Sequence, residues 1–195
     1  MAARRFSQAI SEGDGISVLV EVRDLDGARV AESDGAEAIV LRARLDGIRH
    51  ASELPILWRG QGPLAEAAHA GADACLLVVA EHAEGDDTLA HLQREALDLG
   101  LDCVVEVRDE DELERALEEL DPEIFLLAGP ADEDERPIDR ALELLPDVPA
   151  GKLAVADVPV LSREQVDELE RAGVDAVIVG VPNVAGLVGD GHPPV

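Results

Sequence analysis

Four segments of the chain repeat one pattern, in which a glycine is followed by an acidic residue and then by an unbroken apolar run. They begin at Gly35, Gly71, Gly100 and Gly173 and have the sequences GAEAIVL, GADACLL, GLDCVV and GVDAVIV. A glycine just past a helix provides its left-handed C-cap. A continuous run of Val, Ile and Leu is typical of a strand that is buried on both faces. The pattern therefore predicts the helix-to-strand junction of a parallel sheet, repeated along the chain.

Reading the sequence outward from these junctions gives eight apolar runs of strand length. They lie at 16–22, 38–42, 54–58, 73–80, 102–107, 123–128, 152–158 and 175–180. Helical periodicity lies between most of them, at 63–70, 86–99, 110–120, 138–145 and 162–172. Ser162 and Gln165 form a capping box at the start of the last helix. Eight strands alternating with helices predict a closed (β/α)8 TIM-type barrel. We expect a single domain over 1–195, with an N-terminal segment at 1–15 and a short C-terminal tail at 181–195.

The predicted barrel is shortened, because ordinary barrels of this class take roughly 250 residues and this chain has 195. The connections at 24–33 and 43–53 leave room only for reduced helices, so we expect the first strands to be partly uncovered. An open doubly wound sheet is the alternative fold. It is disfavoured because the chain lacks the glycine-rich phosphate fingerprint of dinucleotide-binding folds.

Composition limits the classes of partner. The net charge of −27 argues against nucleic acid and anionic membranes, because phosphate binding needs clustered Lys and Arg. The acidity indicates a solvated surface, from salt adaptation or a GC-rich genome, with cation binding as the alternative. No run of 18 apolar residues is present, so we expect a cytoplasmic protein without a membrane span. Cys75 and Cys103 are expected to be buried thiols and not a disulfide framework.

Metal and cofactor sites are not predicted. The five histidines show no metal-ligand spacing, so surface or packing roles are expected for them, and His82 is expected at the functional rim of the barrel. The acidic run at 131–135 follows the sixth strand, where it could bind a hard cation. Adjacent acids of this kind are more often a solvated loop, and the run lacks the spaced ligands of a calcium loop.

The pentapeptide VEVRD occurs twice, at 20–24 and 105–109. Residues i and i+2 of a strand point to the same face, so each copy directs a Glu and an Arg together: Glu21 with Arg23, and Glu106 with Arg108. In a barrel the two copies lie on opposite strands and face inward near the carboxyl ends, where barrel active sites lie. The two carboxylates could act as an acid/base pair. Internal duplication, or ion pairs that only fill the barrel mouth, are the alternatives.

Five segments resemble the indole-3-glycerol phosphate synthase family, whose members are (β/α)8 lyases of tryptophan biosynthesis. They are ISVLVEVRD (16–24), LPILWRG (54–60), GADACLLVVA (71–80), LGLDCVVEVRDEDELERAL (99–117) and KLAVADVPVLSREQVDELERAGVDAVIVG (152–180). The resemblance implies ring closure and decarboxylation of an anthranilate-derived ribulose phosphate without a cofactor.

The resemblance also implies roles for individual residues. Glu21 and Glu106 match the family's conserved glutamates, which would transfer protons. Arg59 and Arg23 fall on two family lysines, the general acid and the residue that contacts the substrate carboxylate. Asp157 and the backbone at Gly180 would assist in holding the substrate.

Several family positions are replaced in this chain. Ala128-Gly129-Pro130 stands where the family has Asn-Asn-Arg, and Asp157-Val158-Pro159 stands where it has Glu-Ser-Gly. Arginine also stays protonated in proteins, so it binds an anion well but donates a proton poorly. Three functions therefore stay open: the family reaction, another small phosphorylated substrate, and a non-catalytic binding or assembly barrel that could form homo-oligomers.

Overall fold

The computed structural model describes residues 6–12, 15–85, 87–129, 136, 138–159, 162–180 and 184–187. Eight parallel strands pair in chain order, and the eighth pairs with the first, so the sheet closes into a barrel. The strands are β1 (Ser17–Glu21), β2 (Ala38–Leu41), β3 (Ile56–Trp58), β4 (Ala74–Val78), β5 (Asp102–Val107), β6 (Ile124–Leu127), β7 (Leu153–Ala156) and β8 (Ala176–Gly180). Each lies within one of the eight apolar runs, which confirms the predicted fold.

Among the described residues, one helix precedes β1, and a further helix follows each of the eight strands. They are α1 (Phe6–Ser11), α2 (Leu25–Ser33), α3 (Ile48–Ala51), α4 (Leu64–His69), α5 (Thr88–Asp98), α6 (Glu110–Glu119), α7 (Asp139–Leu144), α8 (Arg163–Ala172) and α9 (Val184–Leu187). The two connections predicted to hold only reduced helices differ, because α3 in the second has four residues, as predicted, whereas α2 in the first has nine. The predicted N-cap of α8 is also present, since Ser162 Oγ accepts the amide N–H of Gln165 at 3.4 Å.

The expectation that short early helices leave the first strands uncovered is wrong. The outward side chains of β1 to β3, such as Val20 and Ile39, are fully buried. Ala31 of α2 and Ala67 of α4 are fully buried in the same apolar cluster, and Ile48 of α3 joins them. Alanine adds little bulk, so even a helix of one or two turns can lie close enough to the sheet to cover it.

The acidic residue of the repeated junction has a structural role. Glu37, Asp73 and Asp175 each lie just before a strand, and each carboxylate accepts the backbone N–H of a residue at the start of the preceding strand. The donors are the amides of Val18, Ile56 and Ala154, at 2.8, 2.8 and 2.7 Å. Each bond satisfies an amide at the amino-terminal end of the barrel. Burial raises the pKa of Glu37 and of Asp175 above their usual values.

Helix α1 closes the end of the barrel where the strands begin. Phe6 and Ile10 belong to the apolar cluster that fills the interior, together with Leu19, Ala38, Val40, Leu57, Ala74, Val104, Ile124, Leu126, Val155, Ala176 and Ile178. The amide of Ser7 donates to Asp102 Oδ2 at 3.0 Å, and Ser17 Oγ donates to the carbonyl of Ile10 at 3.3 Å. Part of the predicted N-terminal segment therefore forms a structured plug, leaving the opposite end of the barrel for a site.

Candidate active site

The polar residues of the barrel mouth follow from strand parity. Side chains two positions apart on a strand face the same side, so a residue two positions past an interior residue points into the mouth. This rule places five charged residues there: Glu21, Arg42, Arg59, Glu106 and Asp157. Gly180 follows Ile178 in the same way and adds no side chain. The site is therefore built by the carboxyl ends of several different strands, as is usual for this fold.

Arg59, which follows β3, lies at the centre of the charged cluster. Its Nη2 is 3.5 Å from Glu106 Oε2 and its Nη1 is 2.7 Å from Asp157 Oδ2, while its side chain is only 7% exposed. The Asp157 contact is an ion pair by distance, but its angle does not make a hydrogen bond. Within the described residues, Nε and Nη1 of Arg59 have no hydrogen-bond acceptor. A buried guanidinium with two unused donors costs stability unless a ligand or water satisfies them.

Glu106, the inward-facing acid of β5, is held by two guanidiniums. Arg108 donates to Oε1 from Nε at 3.0 Å and from Nη2 at 2.7 Å, while Arg59 approaches Oε2. The hydrogen bond to Glu106 is the main cause that raises the pKa of Arg108. Both carboxylate oxygens of Glu106 are therefore committed to ion pairs.

Arg108 is itself fixed from two sides. Its amide donates to Glu112 Oε2 at 2.9 Å, and its carbonyl accepts from Nε and Nη2 of Arg140 at 3.0 and 2.7 Å. Burial raises the pKa of the Glu112 carboxyl above its usual value. These contacts anchor the backbone that carries Arg108, so the pairing with Glu106 is supported by α6 and α7.

Glu21 has a different partner. Its Oε2 accepts from Nε of Arg42 at 2.7 Å, and Arg42 is largely exposed. Both residues line a cleft of about 420 Å³, together with Val22, Arg23, Ala43 and Leu45. Arg23, the predicted substrate-binding residue, is exposed there. Arg42 was not among the residues predicted for the site, although its position two residues past Val40 is a sequence signal for it.

The structure brings together some of the predicted site residues and separates others. The ring order places β1 opposite β5, as predicted. Glu21 and Glu106 nevertheless pair with different arginines, so they do not form one hydrogen-bonded acid/base pair. Gly180 is exposed at the end of β8 and lies in register with Glu21. Residues 181–183 and the acidic run at 131–135 lie outside the described residues.

Other sequence features do not add to this site. The carbonyl of His82 accepts from Nη1 of Arg115 at 2.8 Å, which ties the loop after β4 to α6. Among the residues that the structure describes, no three metal-ligating side chains are grouped so that they could hold an ion. Over the same residues, no helix is long and apolar enough to cross a bilayer.

The barrel mouth gathers four arginines, Arg23, Arg42, Arg59 and Arg108, on a strongly acidic protein. Acids lie among them, namely Glu21, Glu106 and Asp157, with Glu81 and Glu112 near Arg108. Guanidiniums present paired donors that match carboxylate and phosphate oxygens. The fold and the site thus define a (β/α)8 barrel whose carboxyl-end rim presents several guanidiniums.

Comparison with known proteins identifies the family. The family model for indole-3-glycerol phosphate synthase matches residues 14–183. A synthase of that name from Geobacillus sp. (strain WCH70) is 33% identical over 175 residues, which cover 86% of this chain and 61% of that protein. One from Acidithiobacillus ferrooxidans is 41% identical over 119 residues, which cover 59% of this chain and 43% of that protein. The chain belongs to the indole-3-glycerol phosphate synthase family, and it spans less than two thirds of these relatives.

Solved structures share the fold at lower sequence identity. The N-acetylmannosamine-6-phosphate 2-epimerase from Clostridium perfringens aligns with a TM-score of 0.66 at 15% identity, covering 84% of this chain and 86% of its own. The 3-hexulose-6-phosphate synthase from Salmonella typhimurium aligns with a TM-score of 0.62 at 19% identity, covering 88% and 94%. Both likenesses support the barrel architecture.

Proposed function

We propose that this chain binds a small phosphorylated or carboxylated ligand at the barrel mouth and does not catalyse efficient indole ring closure. The observation that carries the proposal is Arg59, which is buried, has two unused donors and lies between two carboxylates. It occupies the place where the family resemblance implies a proton-donating lysine. A guanidinium there favours binding over proton transfer.

Proton transfer is the step that this site supports least. Arginine does not release its proton in proteins, and a general acid is typically worth about 10²–10⁴-fold in rate. Both oxygens of Glu106 are engaged by Arg59 and Arg108, so a substrate would have to displace an ion pair to reach them. The positions of the family's strand-6 amide and strand-7 serine are held by Ala128 and Val158, which have no polar side chain.

Anion binding is supported by the exposed part of the rim. Arg42 and Arg23 line the cleft beside Glu21, and neither guanidinium is deeply buried. A phosphate or carboxylate in this cleft could accept from both guanidiniums. The proposed ligand is therefore a small molecule with at least one anionic group. No cofactor is part of this proposal.

The family reaction is the second candidate. It is supported by Glu21 and Glu106, which are kept at the mouth in the positions that the resemblance implies. In that case the chain would act in tryptophan biosynthesis, in the cytoplasm, on the anthranilate-derived ribulose phosphate. A third candidate is another phosphorylated sugar, as the names of the two structural neighbours illustrate for those proteins.

Calorimetric titration tests the binding proposal. The probes are inorganic phosphate and the anthranilate-derived ribulose phosphate, each added to the intact chain. Arg42→Ala is expected to weaken binding about tenfold or more, because it removes one charge-assisted contact. Arg29→Ala is the matched control, since Arg29 is as exposed as Arg42, at 56% against 57%, but lies in an ion pair on α2. Equal affinities for the two variants, or no heat with either probe, would refute binding at this rim.

A further inference from the structure

The two cysteines form a cross-strand pair on the outer face of the barrel. Cys75 of β4 and Cys103 of β5 are direct partners in the parallel register, and both belong to the apolar cluster between sheet and helices. Their thiols are free and buried, as expected from the sequence. In-register partners on neighbouring strands lie about 4.8 Å apart and point the same way. This separation is within the Cα–Cα range that a disulfide can span.

The two thiols also influence each other. Cys103 Sγ lies 3.8 Å from the carbonyl of Gln93, to which it can donate. Interaction with the neighbouring Cys75 thiol lowers the pKa of Cys103, whereas the same interaction, together with burial, raises the pKa of Cys75. Cys103 is also the more accessible of the two, at 9% exposure against none for Cys75. The pair therefore contains one nucleophilic sulfur and one resolving sulfur.

From this geometry we infer that Cys75 and Cys103 are a site of reversible oxidation that closes to an intramolecular disulfide. The oxidant is a hydroperoxide such as hydrogen peroxide. The Cys103 sulfur attacks one peroxide oxygen, the O–O bond breaks, and the leaving oxygen departs as water, leaving a sulfenic acid on Cys103. The Cys75 sulfur then attacks the Cys103 sulfur, and the hydroxyl group leaves with the Cys75 proton as a second water. Two thiols lose two electrons and two protons, and the peroxide is reduced to two waters.

The bond is expected to be readily reduced. The Cβ atoms of in-register parallel partners are separated by about the strand spacing of 4.8 Å, which exceeds the 3.5–4.5 Å that a relaxed disulfide prefers. Strained disulfides are reduced more easily than structural ones. The dithiol lies on the two strands that carry Val78 and Glu106 at the barrel mouth, so the new bond would link the two strands below the site.

The experiment treats the folded, reduced chain with hydrogen peroxide and then counts free thiols after denaturation. The inference predicts the loss of both thiols, a mass lower by two hydrogen atoms, and a rate that does not depend on protein concentration. Glutathione at cytosol-like ratios should restore both thiols. Retention of both thiols in the folded chain, with oxidation only in denaturant, would overturn the inference. Disulfide-linked dimers in place of the internal bond would overturn it as well.

Single variants test the assigned order of attack. In Cys75→Ser, peroxide should leave a sulfenic acid on Cys103 that dimedone captures, because no resolving thiol remains. In Cys103→Ser, Cys75 should stay reduced over the same period, because it is buried and its partner is gone. Faster dimedone labelling of Cys75 than of Cys103 would contradict the order. The wild-type thiol count does not depend on either variant folding well.

Discussion

Arg59 and Glu106 meet across the barrel mouth from the ends of β3 and β5, with Nη2 3.5 Å from Oε2 and with each side chain only 7% exposed. One residue of the pair cannot donate a proton under ordinary conditions, and the other already accepts from two guanidiniums. The two residues therefore contribute both to the stability of the barrel, as a buried ion pair, and to the chemistry that the mouth can perform. A variant at either position has to be judged on folding before it is judged on activity.

The first prediction concerns the stability role of Glu106. Glu106→Ala should lower the free energy of unfolding in urea by about 3 kcal/mol, because Arg59 would keep a buried charge with one partner fewer. Glu21→Ala is the matched control, since Glu21 also pairs with an arginine at the rim but the partner is exposed. That variant should lose about 1 kcal/mol or less. If both variants lost the same free energy of unfolding, burial of the ion pair between Arg59 and Glu106 would not contribute to stability.

The second prediction concerns the plug of the barrel. Phe6 is fully buried among the interior side chains, and Phe6→Ala should cost about 3–5 kcal/mol of unfolding free energy. Leu97 on α5 is largely exposed, so Leu97→Ala should change stability by about 0.5 kcal/mol or less. Thermal and urea unfolding of both variants provide the comparison. A Phe6→Ala variant as stable as the wild type would show that α1 does not pack in the barrel.

The third prediction concerns pH and the junction acids. Burial holds the pKa of Glu37 above its usual 4.5, so the folded chain keeps this proton to a higher pH than the unfolded chain. The contribution of Glu37 to stability is therefore most favourable below pH 4.5 and is lost as pH rises through the folded pKa. Glu37→Gln keeps an oxygen that can accept from Val18 without this titration. The free energy of unfolding of Glu37→Gln, relative to that of the wild type, should therefore rise between pH 4 and pH 7.

A matched control exists at another junction. Glu123 lies just before β6, as Glu37 lies just before β2, but its side chain is exposed. Glu123→Gln removes one carboxylate near a strand start without removing a buried one. If the two variants follow the same pH profile in chemical unfolding, burial is not the cause of the Glu37 effect.

The strands were predictable because their signal is strong and local. A barrel strand is buried on both faces, so it appears as an unbroken apolar run, and each run contained its strand. The junction acids were visible as part of the repeat, but their role was not. That role is a bond to the neighbouring strand, which depends on the register between strands far apart in sequence.

The remaining features depend on tertiary packing. Helix α1 has only six residues, too few for periodicity to stand out, and it is held by the barrel interior around Phe6. Alanines such as Ala31 cover the first strands. The short connections between these strands had led us to expect that the strands would be exposed. The pairing of Glu21 with Arg42 and of Glu106 with Arg59 is set by side-chain geometry at the mouth. Strand parity could identify the charged residues there but not their partners.

Turnover of the anthranilate-derived ribulose phosphate tests the central claim most directly. Indole fluorescence would be followed at low salt and at molar salt, because screening relieves the self-repulsion of a chain with net charge −27. Circular dichroism in the same buffers would establish that the chain is folded. We expect ligand binding by calorimetry without indole formation in either salt. Indole formation by the wild type that disappears in a folded Glu106→Gln variant would contradict it and would show that the family reaction survives with arginine at position 59.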